Sequence, residues 1–399
     1  MAAIFTMSEV FLVSACRTPI GRFQGGLSSF RAPELGGLAI QEALTRAGVA
    51  ADQVDEVIMG NVLQAGVGQN PARQAQRAAG IPDTVPPFTV NMVCGSGLKS
   101  VMLGAASIVA GDNEVVVAGG MESMSQAPYM VPAARQGARL GDAKLVDAMI
   151  HDGLWDVYSN KHMGLTGELV ADEYDISRDA QDAFATESHR RAADAWAAGR
   201  FSAETFSIEV PQRRGDPVVV DSDEGVRADV TVDGLGKLRP AFAKEGSVTA
   251  GNASQISDGA SAVVLASAAA VEKYGLKPLA KITGYAAGGM APEWVMMAPK
   301  HAIENLEKRT GVKATDYDLI ELNEAFSSAA CALVKTLGLD AERVNVNGGA
   351  VAIGHPIGAS GARILTTLVY ALQDRGLKTG MAALCLGGGN AVATSIELC

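Results

Sequence analysis

Apolar residues fall along this chain in two alternating textures. Val10–Ala15, Val54–Val62, Pro87–Val90 and Glu114–Gly120 are short, β-prone runs with few polar interruptions. Between them, Pro33–Ala47, Asn70–Ala79 and Leu98–Ala110 carry helical spacing. Strands that are apolar throughout, rather than at every second residue, are covered on both faces. Alternation with helices implies crossover connections, so the pattern predicts an α/β protein with a mostly parallel sheet. From Met121 to Val248 the pattern is broken by Met, Pro, Trp, Tyr and charged residues. Within that stretch Asp179–Ala198 reads as an amphipathic helix and Asp221–Lys237 as a charged loop. Buried-strand texture returns at Ala260–Ala266 and Leu279–Tyr285. The expected organisation is one α/β half from 1–120 completed by 249–275, an insertion over 121–248 carrying substrate contacts, and a second half over 276–399.

The two halves echo each other. Val90-Asn91 precedes a glycine-rich turn, an Ala-rich helix and a strand ending Ala118-Gly119-Gly120. Val346-Asn347 likewise precedes Gly348 to Pro356, a small-residue helix (Gly358 to Leu372) and the strand Met381–Leu386, which ends in Gly387-Gly388-Gly389. The likeness is of pattern, and it predicts a duplicated unit whose equivalent turns face one another.

Length agrees with more than one core, since 399 residues exceed the roughly 250–300 that one core organises. A formal charge of −11 argues against a nucleic-acid surface, though not against a local basic contact to a phosphorylated ligand. The five cysteines (Cys16, Cys94, Cys331, Cys385, Cys399) are odd in number and widely spaced, without C-x-x-C. That pattern fits a reducing compartment and supports neither a disulfide framework nor a metal site. No apolar run is expected to approach the ~20 residues that span a bilayer. Met1–Met7 lacks the features of a signal peptide, and Met7 reads as an alternative start. A cytoplasmic enzyme without membrane partners is the expectation.

The chemistry concentrates at glycine-rich turns. Cys94 lies in N-M-V-C-G-S-G, between a short strand and a helix, where the helix N-terminus and free N–H groups favour the nucleophilic thiolate. A small apolar Cys packed in a turn is the alternative. His355 in G-H-P-I-G-A-S-G reads as a base for that thiol or as a hydrogen-bonded turn residue. Cys385 ends a buried strand, where parallel sheets place ligands, or else is core. Asn323, where a strand meets a helix in L-N-E-A-F, reads also as an N-cap.

Taken together and in order, these motifs resemble the thiolase family along nearly the whole chain, nearest to its short-chain, acetoacetyl-CoA type. The matching pieces are N-x-x-C-G-S-G at Cys94, G-N-V-L-Q-A-G-x-G-Q-N-P-A-R-Q-A from Gly60, N-E-A-F at Asn323, G-G-A-V-A-I-G-H-P-I-G-A-S-G around His355, and C-L-G-G-G at Cys385. The resemblance implies a five-layered α-β-α-β-α stack of two similar halves with an inserted loop domain. It also implies reversible condensation of two acetyl-CoA to acetoacetyl-CoA and CoA, with no metal, no cofactor beyond the CoA thioesters, and a homotetramer. Cys94 would carry the acyl group, His355 activate it, and Cys385 move the α-proton. Asn323 would hold a water that forms one oxyanion hole with His355, and the N–H groups of Cys94 and Gly387 would form the other. A condensation of two thioesters passes through both an enolate and a tetrahedral oxyanion, so two donor sets suit it.

The resemblance extends into the insertion. His162 and Met163 would line the acyl pocket, Leu154 and Ala250 would pack along the pantetheine, and Ser254 would hydrogen-bond it. Phe242, Ala325, Phe326 and Ile357 would line the tunnel, and Arg227 would meet the nucleotide end. Ser257-Asp258-Gly259, Gly234 and the stretch 294–297 depart from the family pattern, and no methionine there is assigned to the pocket. Rival expectations are a broader 3-ketoacyl-CoA thiolase, a non-catalytic acyl-CoA or lipid binder of the same fold, and a ketoacyl synthase, which would want a second active-site His in place of Cys385.

Overall fold

The computed structural model describes residues 9–399; the alternative start at Met7 lies outside the described residues. The first half consists of β1 (Val10–Arg17), α1 (Ala32–Ala47), β2 (Glu56–Gly60), α2 (Pro71–Ala78), β3 (Pro87–Val90), α3 (Ser96–Ala110) and β4 (Val115–Ser123). The chain then enters the insertion, with α4 (Met163–Glu173) and α5 (Arg178–Ala197), before β5 (Ser257–Ser267) completes the sheet. The second half runs β6 (Ala280–Gly289), α6 (Ala298–Thr310), β7 (Leu319–Leu322), α7 (Ser327–Leu337), α8 (Ser360–Arg375), β8 (Thr379–Leu386) and β9 (Asn390–Leu398).

The halves repeat one topology. Strand order is β3-β2-β4-β5-β1 in the first and β7-β8-β9-β6 in the second, and β1 and β6 pair edge to edge at Phe11–Lys281 and Leu12–Ala280. In the first half β2 is parallel to both β3 and β4, in the second β7 is parallel to β8, and in each half the next two pairs are antiparallel. The sheet is therefore mixed, which corrects the expectation of a mostly parallel one. Uninterrupted apolar runs report cover on both faces, and here helices cover antiparallel strands as completely as parallel ones. The turn at Gly387–Gly389 joins β8 to β9 too tightly for any parallel connection.

Burial alternates with the strand period and defines five layers. Val57, Met59, Val115, Val117 and Val264 face α1 and α2, whereas Ile58, Val116, Ala118 and Leu265 face the middle. The middle layer is α3 and α8, whose Leu98, Val101, Ile364 and Leu368 also meet Ala382, Leu384 and Leu386 of β8. On the far face, Met381, Ala383 and Ala393 pack under Ala302, Ile303 and Leu306 of α6. The 18-residue stretch Val93–Ala110 is apolar enough to cross a bilayer, contrary to the expectation that no such run exists. Its helix is apolar because it lies between the two halves of the sheet. α3 and α8 approach at their N-terminal ends, where a Cβ on Gly97 would lie 2.9 Å from the Ala362 backbone nitrogen.

The insertion is fastened by a buried ion cluster. Arg17 at the end of β1 meets Glu204 (Nε–Oε1 2.5 Å) and Asp223 (Nη1–Oδ1 2.7 Å), all three side chains excluded from solvent. Glu204 also accepts from Thr367 of α8 at 3.0 Å. Asp221–Lys237, expected as loop, contains a short helix at Val232–Gly236 that Thr231 caps.

Candidate active site

Cys94 sits two residues before α3, in a turn of unusual backbone. Val93 has φ +46°, a left-handed value that is strained for a β-branched residue. Ser96 holds the turn: its hydroxyl donates to the Val93 carbonyl at 2.6 Å and accepts the Met92 N–H at 2.9 Å. Leu386 of β8 packs on Gly95, and Gly387 lies against Val93, so the Cys94 turn is pressed on the end of a strand of the other half. The N–H groups of Cys94 itself and of Gly387 favour negative charge on the Cys94 sulfur. Burial raises the thiol's pKa, the neighbouring Cys385 adds to the rise, and these two N–H groups only partly oppose it. The resting residue is a thiol. This corrects the expectation of a helix-stabilised thiolate, because desolvation outweighs the partial charge of the helix terminus.

His355 is buried in the loop leading to α8. Its N–H donates to the Gln255 carbonyl (3.0 Å) and the Ser257 hydroxyl (3.2 Å). Its Nδ1 lies 2.6 Å from the Ser360 hydroxyl, which itself donates to the Pro356 carbonyl at 2.9 Å. A serine hydroxyl has one hydrogen. With that committed to Pro356, Ser360 accepts from Nδ1–H and leaves Nε2 as the free acceptor, the tautomer a base for a thiol requires. Burial, helped by the charge of Arg363, drives the imidazole's pKa down to about 3, so it rests neutral.

Cys385 is buried near the end of β8, its sulfur 3.9 Å from that of Met296. Burial pushes its pKa up to about 12. Asn323 follows β7 and caps no helix, since the N-cap of α7 is Phe326. Its side chain is buried and neither its Nδ2 nor its Oδ1 has a protein partner. A buried amide in that state has its full hydrogen-bonding capacity open to water.

One cavity of about 440 Å³ collects these pieces. Cys94, His355, Cys385 and Gly387 line it, as do Leu154, His162, Met163, Phe242, Ala250, Ser254, Ala325, Phe326 and Ile357. His162 is half-buried rather than a loose loop residue. Its Nδ1 accepts the Gly164 N–H (3.0 Å) to cap α4, its ring stacks on Phe242 at 4.8 Å, and burial lowers its pKa. Phe242 in turn meets Phe326 edge-on at 6.1 Å. Asn323 and Arg227 are not among the lining residues; Arg227 is exposed, its backbone N–H donating to His189. Among the described residues no cluster of His, Cys, Asp or Glu is arranged to hold a metal.

Family models described as "Thiolase, N-terminal domain" and "Thiolase, C-terminal domain" match residues 10–269 and 276–398. The chain belongs to the thiolase family. It is 54% identical over 391 residues to a Cupriavidus necator protein named acetyl-CoA acetyltransferase, covering 98% of this chain and 100% of that one. It is 53% identical over 390 residues to a Pseudomonas aeruginosa protein of the same name, covering 98% and 99%. The crystal structure of the Bacillus anthracis acetyl-CoA acetyltransferase superposes with a TM-score of 0.96 at 43% identity, covering 98% of this chain and 99% of that one. The fold is the thiolase fold.

Several residues of this thiolase cavity were not singled out by sequence. Met124, Ile150, Gln255, Ile256, Val295 and Met296 also line it. Val295 and Met296 belong to the 3-10 helix Pro292–Met297, in the stretch where the family pattern is hard to follow. Ser360 was visible in G-H-P-I-G-A-S-G, five residues beyond His355. Nothing in the letters, however, says that α8 turns its hydroxyl back onto the imidazole.

Proposed function

We propose that the protein is an acetyl-CoA C-acetyltransferase, condensing two acetyl-CoA reversibly to acetoacetyl-CoA and CoA through acetyl-Cys94. The convergence of two thiols, one imidazole and the Gly387 N–H on a single apolar cavity carries the reading. The names of its relatives support acetyl-CoA as the substrate.

In the first half-reaction, Cys94 passes its proton to His355 Nε2 and attacks the acetyl carbonyl. The Cys94 and Gly387 N–H groups receive the tetrahedral oxyanion. The C–S bond to CoA breaks, and the leaving sulfur takes the proton of Cys385. This leaves acetyl-Cys94, an imidazolium and a Cys385 thiolate, a pair whose charges offset one another where neither ion would persist alone. In the second half-reaction the thiolate removes the α-proton of a new acetyl-CoA. The enolate oxygen is held by His355 and the water on Asn323, and the α-carbon attacks the acetyl group. The Cys94 sulfur then leaves and recovers its proton from His355, which restores the resting state. Both resting thiols and the neutral imidazole fit this bookkeeping of protons.

Ser254, Leu154 and Ala250 would flank the pantetheine, and exposed Arg227 would meet the nucleotide phosphates outside the cavity. No bound cofactor is required, and the cytoplasm is the proposed compartment. Exposed Tyr129, Leu140, Leu145 and Tyr158 in the insertion support self-association, for which we propose a homotetramer. The test is incubation with acetyl-labelled acetyl-CoA. The native protein should release CoA and retain label stoichiometrically, whereas Cys94→Ala should do neither; label retained by Cys94→Ala would refute the reading.

A further inference from the structure

Glu122 is not part of the reaction just described, yet it is buried beside it. On β4 it shares the face of Val116 and Ala118, so the strand period points it into the middle layer, towards the loop that precedes α8. Its carboxylate there receives four donors. From the first half come Asn61 Nδ2 (2.7 Å), the Val62 N–H (3.0 Å) and the Leu63 N–H (3.2 Å); from the second half comes the Gly358 N–H (2.9 Å). Val62, Leu63 and Ile357 belong to one apolar cluster against which Cys94 and Leu154 pack. The fit at Gly358 is close, since a Cβ there would lie 2.7 Å from Glu122 Oε2.

We propose that Glu122 is the positioning residue that sets the His355 loop against the Cys94 turn, by bridging the two halves through Gly358 N–H and the Asn61–Leu63 backbone. All four partners are donors, so only an acceptor-only carboxylate satisfies them together. Burial pushes the acid's pKa up to about 7, against the pull of these N–H groups. Glu122 does not line the cavity that holds Cys94 and His355, so its role is indirect. Its effect is on the alignment of His355 Nε2 with the Cys94 proton, which depends steeply on sub-ångström placement.

The inference rests on the acetyltransferase reading, and the experiment separates the two. The full-length native enzyme and Glu122→Gln are assayed at pH 8, where the native carboxyl is ionised, for the burst of CoA released from acetyl-CoA and for steady-state kinetics. Glu122→Gln keeps the side chain's shape but turns an amide donor towards a backbone N–H. The expected result is a burst rate and kcat reduced about tenfold or more, with KM for acetyl-CoA within about twofold and partial recovery in Glu122→Asp. Asn61→Ala removes one donor only and should lower kcat about threefold, again at unchanged KM; it carries the same test if Glu122→Gln does not fold. A folded Glu122→Gln or Asn61→Ala with native kcat, or a loss confined to KM, overturns the positioning role. Absence of CoA release by the native enzyme would instead overturn the acetyltransferase reading.

Discussion

Ser360→Ala isolates the tautomer of His355 from its presence. In the native site the Ser360 hydroxyl accepts Nδ1–H at 2.6 Å and is itself fully buried, so no bulk water can replace it. The substitution leaves Nδ1–H and the Pro356 carbonyl without that partner. In the resting enzyme the lost bond is neutral, and its net value is about 1 kcal/mol. In the transition state for acylation the ring is becoming an imidazolium, and the same bond to a charged donor is worth about 1.5–3 kcal/mol. The difference in barrier, about 0.5–2 kcal/mol, corresponds to a loss of about 2–30-fold in the rate of CoA release, to which population of the wrong tautomer adds. KM should stay within about twofold, because Ser360 does not line the cavity. The measurement is a stopped-flow thiol assay of the first turnover. A folded Ser360→Ala with the native burst rate would show that Nε2 is free without help and would refute the argument.

Cys385→Ala should still accept an acetyl group on Cys94, though more slowly, and should form no detectable acetoacetyl-CoA; normal condensation would place the α-proton base elsewhere. His355 contributes a pH dependence of stability with a definite sign. Its folded pKa of about 3 lies below the unfolded value of ~6.5, so between these limits the unfolded chain binds the extra proton and stability falls as pH falls. The loss attributable to this one group is about 2 kcal/mol at pH 5 relative to pH 8. The raised acids Glu122 and Glu321 act in the opposite direction, so the measurement is the difference between native and His355→Asn melting temperatures across that range. A difference independent of pH would contradict the buried neutral imidazole. Arg17→Ala should cost about 3–5 kcal/mol, seen as a large drop in denaturation midpoint, because Glu204 and Asp223 are then buried without their cation. A change under about 1 kcal/mol would mean that water reaches the cluster.

What the chain's letters made legible was local. The strand–turn–helix around Cys94, the echo ending in Gly387–Gly389, and the motif set carrying the family were all readable. Each rests on residues near one another in sequence or on a pattern repeated in order. Strand direction was not readable, because β5 and most of β9 are buried on both faces as β2 is, and that cover erases the alternation that marks an antiparallel strand. The ionisation of Cys94 was misjudged for a related reason. The helix terminus is visible in the sequence, whereas the burial that opposes it is completed by the end of β8 packed on the turn at Gly95 and Val93, nearly three hundred positions away. Ser360, Met296 and Glu122 escaped notice because a serine, a methionine and a glutamate are ordinary letters until a fold aims them.

The meeting of the Cys94 turn with the end of β8 makes the catalytic apparatus a property of the pairing rather than of either repeat. On the proposed mechanism one repeat holds the acyl carrier and the other supplies the groups that move protons. Any motion that slides α3 along α8 near Gly97 and Gly361 would change the spacing of sulfur and imidazole directly, with no hinge in between. The closeness of that glycine contact leaves no room for a side chain between the two helices, so the geometry of the proposed reaction is tied to their packing.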